Sequence, residues 1–177
     1  MNRSPLSKGY IQVYTGDGKG KTTAALGLAL RASGHGLYTY IGQFMKGQSY
    51  GELEALRGNE YITVEQYGNA HHIHKDRVAT DDVERAHRGL QLAREALLSG
   101  FYNIVVLDEV NVAAWFGLLE ASDILALLDE RPENVEVVLT GRRAPREFID
   151  RADLVTEMRS VKHYYEQGIL ARPGIER

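Results

Sequence analysis

The sequence predicts an α/β fold, an open and mainly parallel sheet with helices on both faces, and three observations predict it. Short apolar runs rich in β-branched and aromatic residues recur at Tyr10–Tyr14, Leu37–Ile41, Tyr61–Glu65, Ile104–Leu107 and Val135–Leu139, and read as strands. Helical periodicity lies between them, clearest where Val83, Ala86, Leu90, Ala93 and Leu97 recur at intervals of three and four. The run Ile104-Val-Val-Leu107 has no polar alternation, as expected of a strand covered on both faces of a parallel sheet. Alternation of strand and helix then implies an open α/β sandwich.

Each element has its own signal. The first strand runs into Thr15-Gly-Asp-Gly-Lys-Gly-Lys-Thr-Thr-Ala-Ala25, with a helix opening at Lys21. After the third strand comes a loosely organised loop from Tyr67 to Ala79, then the long helix, with Thr80 placed to cap its start and Gly100 to end it. The fourth strand ends on two carboxylates, Asp108 and Glu109. Trp115 and Phe116, within Val112 to Leu119, read as core or interface residues rather than cofactor contacts. The fifth strand leads into Thr140-Gly-Arg142, and the aromatic, basic tail from Ser160 to Ile175 packs either over a ligand, across a dimer or on its own domain.

The totals bound the function. A chain of 177 residues with 44% hydrophobic content suits one compact domain over residues 1–177 that needs neither disulfide nor metal to complete its core. With no cysteine, a disulfide framework, a zinc ribbon and a thiol nucleophile are excluded. The polar start and the lack of any run of about 18 apolar residues predict neither a signal peptide nor a membrane span, and so a soluble cytoplasmic protein. With 21 Lys plus Arg against 24 Asp plus Glu, the net charge of -3 gives no general attraction for nucleic acid or anionic lipid. Any anion is therefore bound locally.

The local anion site is legible between the first strand and first helix. The pattern G-x-x-x-x-G-K-[ST] finds Gly20, Lys21 and Thr22 in place, but Thr15 where its first glycine belongs. Gly16, Gly18 and Gly20 let the backbone turn and aim N–H groups inward, and the helix opening at Lys21 adds the positive end of its dipole. Lys21 is placed to reach phosphate oxygens, and the Thr22 hydroxyl to ligate Mg²⁺. Asp108 or Glu109 would meet that magnesium, and the second acid of such a pair orients water in many ATPases. The pairing predicts a phosphate-loop NTPase-like, RecA-like domain that binds Mg-ATP or Mg-GTP. Thr140-Gly-Arg-Arg-Ala144 stands where an Asn-Lys-x-Asp base-reading segment would be sought, which favours ATP. Arg142 lies where ligands bind in open sheets and is either a clamp on the triphosphate or a solvated turn residue.

The blocks Gly16-Asp-Gly-Lys-Gly-Lys-Thr-Thr-Ala-Ala25, Arg31, Gln43-Phe-Met-Lys-Gly47, Leu107-Asp-Glu109, Thr140-Gly-Arg142, Val161-Lys-His163 and Gly174-Ile-Glu176 together resemble the phosphate-loop type of ATP:cob(I)alamin, or corrinoid, adenosyltransferases. The resemblance runs from about Gly9 to the C-terminus. It implies transfer of the 5′-deoxyadenosyl group of ATP to the Co(I) of a corrinoid, either cobalamin or the precursor cobyrinic acid a,c-diamide, with triphosphate as leaving group. It also implies a role in vitamin B12 metabolism, a flavoprotein reductase that supplies Co(I), and a homodimer. In this family the nucleotide lies in the reverse sense, which gives the altered entrance at Thr15 and the extra Lys19 a purpose. By the same resemblance Gly16, Asp17, Gly18, Lys19, Gly20, Lys21, Thr22 and Thr23 hold the triphosphate, Thr22 with Asp108 or Glu109 positions magnesium, Arg142 neutralises leaving-group charge, and Arg31 aids the nucleotide site. Lys21, Glu109 and Arg142 are the residues expected to carry catalysis. A phosphate-loop ATPase or kinase, or a regulatory nucleotide-binding module, are the alternatives.

On the corrinoid side the chain departs from relatives that carry a Phe-x-Trp pair before the long helix. Here the loop reads Tyr67-Gly-Asn-Ala-His-His-Ile-His74, so Tyr67, His71 and His72 are the expected substitutes. His71, His72 and His74 lack a nearby carboxylate or cysteine and make a poor closed metal site. Contact or solvation, not ligation of cobalt, is expected of them.

Overall fold

A computed structural model of the chain describes residues 6–48, 50–69 and 78–176. Six strands, β1 (Ile11–Thr15), β2 (Thr39–Gln43), β3 (Ile62–Gln66), β4 (Ile104–Asp108), β5 (Glu136–Thr140) and β6 (Leu154–Glu157), form one sheet in the order β3-β2-β4-β5-β1-β6. Every pairing is parallel. The predicted α/β class is therefore the one observed, and the first five strands lie within two residues of their expected positions. β6 is an addition that the sequence did not signal.

The helices are α1 (Lys21–Ser33), α2 (Gly51–Leu56), α3 (Thr80–Leu98), α4 (Val110–Phe116), α5 (Ala121–Asp129) and α6 (Arg146–Arg151). Because successive strand residues point to opposite faces, β4 sends Val105 and Leu107 to one core and Ile104 and Val106 to the other. The larger core packs Leu90, Ala93 and Leu97 of α3, Ile124, Leu127 and Leu128 of α5, and Phe148 of α6. The smaller packs Ala25, Ala29 and Ala32 of α1 against Ile41, Ile62 and Val138. Three alanines at helical spacing let α1 lie close on the sheet, which holds its first turn near the strand ends.

One expectation needs correction. Thr80 is the first residue of α3 and not its cap, since Ala79 holds the cap position. The Asp82 carboxylate accepts a hydrogen bond from the Ala79 N–H at 3.1 Å, the half of a capping box that the third helical residue supplies. Gly100, at φ 67°, follows the helix end as expected.

Candidate nucleotide site

The carboxyl ends of β1, β4 and β5 converge on one cavity of about 680 Å³, within the range of small-molecule sites. Gly18, Lys19, Gly20, Lys21, Thr22 and Thr23 form one wall, and Glu109 and Arg142 approach from the neighbouring strands. Lys46, Tyr50 and Glu52 enter from the segment after β2, and His163, Gly174, Ile175 and Glu176 from the tail.

The loop is shaped by its neighbours. Gly20 sits at φ 117° immediately before α1, a conformation that side chains resist. A Cβ on Gly16 would lie 2.4 Å from the Met158 carbonyl oxygen, so glycine is required where the chain leaving β6 crosses the loop. The Gly18 N–H donates to that same carbonyl at 2.7 Å. Thr15, the departure from the motif, has a positive function here: its Oγ1 accepts from the Ala144 N–H at 3.3 Å, joining the loop to the turn that carries Arg142. The first amides of α1, like those of any helix, lack partners inside it, and Lys21, Thr22 and Thr23, which carry them, line the cavity.

Lys21, largely buried, donates to the carbonyls of Gly16 at 2.7 Å and Gly18 at 2.6 Å. Burial pushes its pKa down, partly offset by the Glu109 charge. The Asp108 carboxylate is fully buried. Oδ1 accepts from the Thr22 hydroxyl at 2.9 Å and the Thr140 hydroxyl at 2.6 Å, and Oδ2 from Lys46 Nζ at 2.9 Å and Gln43 Nε2 at 3.3 Å. Lys46 Nζ is also 3.4 Å from Thr22 Oγ1 and 3.7 Å from a Glu52 oxygen. Burial disfavours the Lys46 ammonium, but the charge and hydrogen bond of Asp108 together with Glu52 and Glu109 outweigh it, and its pKa is raised. Glu109 takes a left-handed conformation, φ 62°, and its N–H is 3.0 Å from Thr140 Oγ1. Burial pushes its carboxyl pKa up, with the Asp108 charge adding to the effect.

Among the described residues no group of three or more His, Asp or Glu could by itself hold a metal ion. Magnesium does not require one, since it takes one or two protein oxygens, phosphates and waters. A threonine hydroxyl hydrogen-bonded to a buried carboxylate, with a second carboxylate adjoining, is a donor set of that kind, so Thr22, Asp108 and Glu109 fit the ion.

Other expected residues lie elsewhere. Arg31 is exposed in the last turn of α1, about 13 Å along the helix from Thr22 at 1.5 Å per residue, and does not line the cavity. Asp17 is exposed on the loop. Tyr67 packs edge-on against Phe44, hydrogen-bonds the Tyr40 hydroxyl, and lies 3.1 Å from Glu65 Oε2. It lines a separate cavity of about 550 Å³ with Glu65, Arg85 and Arg88. Trp115 is exposed under Arg143, and Phe116 packs on the larger core. His71, His72 and His74 lie outside the described residues. Gln43 and Thr140, which hold Asp108, and Lys46 were not among the expected site residues, and the signal for each was its place in the Gln43–Gly47 or Thr140–Arg142 block.

Residues 7–177 match the family described as ATP:corrinoid adenosyltransferase BtuR/CobO/CobP. A corrinoid adenosyltransferase of Pseudomonas aeruginosa is 37% identical over 171 residues, which is 96% of this chain and 84% of that protein. Corrinoid adenosyltransferase CobA of Salmonella typhimurium is 34% identical over 172 residues, 96% of this chain and 86% of its own length. An uncharacterized protein of Nostoc sp. is 36% identical over 175 residues, covering 91% of this chain but only 46% of the Nostoc protein.

Proposed function

This chain belongs to the ATP:corrinoid adenosyltransferase family, and from that premise we propose that it transfers the 5′-deoxyadenosyl group of ATP to the Co(I) of a corrinoid. The cobalt lone pair attacks C5′ of the ribose, a Co–C bond forms, the C5′–O bond breaks, and its electron pair leaves with triphosphate. The observation that carries the assignment to a site is the single cavity where loop residues Gly18 to Thr23 meet Glu109 and Arg142. Its cationic side chains, Lys19, Lys21, Lys46 and Arg142, suit a polyanion held as a unit and released as one.

The roles follow from chemistry. The loop amides and Lys21 hold phosphate oxygens, Lys21 exchanging its carbonyl partners for them. Arg142, exposed on the cavity rim, neutralises charge that grows on the departing triphosphate, an effect for which one donor is worth about 3 kcal/mol. Thr22 with Asp108 and Glu109 would hold magnesium, which when bound supplies further neutralisation of the phosphate charge. Lys19 pairs with the tail, at 2.8 Å from the Ile175 carbonyl and 3.7 Å from Glu176, so it couples nucleotide entry to the tail. Cobalamin or cobyrinic acid a,c-diamide as acceptor, Tyr67 and the loop after it as the corrinoid side, a flavoprotein electron donor, a homodimer and a cytoplasmic location are parts of the same proposal. Among the described residues no helix is long and apolar enough to cross a membrane.

Incubation with Mg-ATP and chemically reduced cobalamin tests it. The expected products are adenosylcobalamin and inorganic triphosphate in equal amounts, detected by visible spectrum and anion chromatography. ADP and orthophosphate formed regardless of the corrinoid would replace this function with that of an ATPase.

A further inference from the structure

Lys46 is the least expected member of the site. It comes from the turn after β2, and its side chain is only 15% exposed. It makes an ion pair with the fully buried Asp108 at 2.9 Å and approaches the Thr22 hydroxyl at 3.4 Å. Those two residues are also the oxygen donors that fit a divalent cation. A divalent cation ligated by Thr22 Oγ1 and Asp108 would lie close to the Lys46 ammonium, and the repulsion between the two favours moving the lysine away.

The turn that carries Lys46 is packed against the chain after β3. Met45 has a left-handed backbone, φ 59°, and the Lys46 carbonyl accepts the Gly68 N–H at 2.8 Å. A Cβ on Gly68 would sit 2.3 Å from the Met45 carbonyl carbon, so two backbones are pressed together there. The side chain therefore changes partners by rotating its methylenes, with its Cα held. The cavity lies on its open side.

We propose that Lys46 is a resident counter-ion that keeps Thr22 and Asp108 in place until nucleotide binds, and is then displaced by the incoming divalent cation onto the phosphate chain. It thus becomes a further ligand of the triphosphate, and the charge of the Thr22–Asp108 pair is compensated throughout the cycle. The inference rests on the cavity being the nucleotide site.

Lys46→Gln, which keeps a hydrogen-bond donor, separates the two halves of this exchange. Titration with Mn²⁺ alone is expected to show the variant binding the ion several-fold more tightly than wild type, because its competitor is gone. Titration with inorganic triphosphate at a Mn²⁺ concentration that saturates both proteins is expected to show binding about tenfold weaker, because a ligand is gone. A merely structural lysine would weaken both or neither, and either result overturns the proposal. Should the variant not fold, a crystal structure of wild type with Mg-ATP decides: Lys46 Nζ within hydrogen-bond distance of a phosphate oxygen supports the exchange, and Nζ still on Asp108 refutes it. Failure of wild type to bind triphosphate would instead discard the nucleotide-site reading itself.

Discussion

At the scale of single residues, several charges of the site have partners before substrate arrives. Lys21 is held by two loop carbonyls, and it trades them for phosphate oxygens at little cost in order. In Lys21→Ala those charge-assisted bonds are lost, each worth about 1.5–3 kcal/mol, and ATP affinity is expected to fall on the order of a hundredfold with turnover abolished at ordinary ATP concentrations. Calorimetry and the adenosylation assay check this; a variant that works at wild-type rate would mean that the loop is decorative. Glu109 presents the opposite case, because its burial beside Asp108 disfavours the charged form. Its folded pKa is raised above the ordinary 4.5, so its contribution to stability is full below that value and is lost as pH rises through the folded pKa. Glu109→Gln is therefore expected to melt higher than wild type at neutral pH and level with it near pH 4. A melting-temperature gap that stayed constant with pH would refute the assignment.

At the scale of elements, glycine positions separate shape from freedom. Gly16 is pinned by the chain leaving β6 and has φ 92°, whereas a Cβ on Gly27 of α1 would meet nothing within 4 Å. Gly16→Ala combines overpacking with a left-handed backbone, at about 1–3 kcal/mol for the first and about 1 for the second. Gly27→Ala, in a helix interior, gains up to about 1 kcal/mol. The melting temperatures are expected to move in opposite directions, and a shared direction would contradict the packing described. The same elements show what the sequence disclosed. β1, β2, β4 and β5 were legible because each is a run largely buried in the sheet, β3 from its β-branched residues although only Ile62 of it is buried, and the phosphate loop because glycine and lysine occur at fixed spacing. β6 was not, since all four of its residues are exposed and Leu154-Val-Thr-Glu157 carries no alternation of burial to read. Lys46 and Thr140 were not among the expected site residues for another reason. Both reach Asp108 across the sheet, through β2 and β5 on either side of β4, and no local pattern encodes which strands become neighbours. Thr15 looked like a defect in the motif because its partner, the Ala144 amide, lies 129 positions away.

At the scale of the whole molecule, the chain divides into a core that ends early and a tail that does not contribute to it. The last buried hydrophobic residue is Phe148, and none of residues 160–176 is buried. Yet His163, Gly174, Ile175 and Glu176 line the nucleotide cavity, and Lys19 is tied to two of them. The tail thus adds a wall to the cavity without adding to the core. Removing residues 160–177 is expected to shift the melting temperature by no more than about 4 °C, the equivalent of roughly 1 kcal/mol for a chain of this size. ATP affinity should fall, because the tail's wall of the cavity is gone. Inorganic triphosphate should bind as well as before or better, because Lys19 is released from Glu176 while the loop, Lys21 and Arg142 remain. That divergence is the informative result, since general damage to the fold would weaken both ligands together. Equal losses for ATP and triphosphate, or a melting temperature lowered by tens of degrees, would place the tail in the structural core and not at the site.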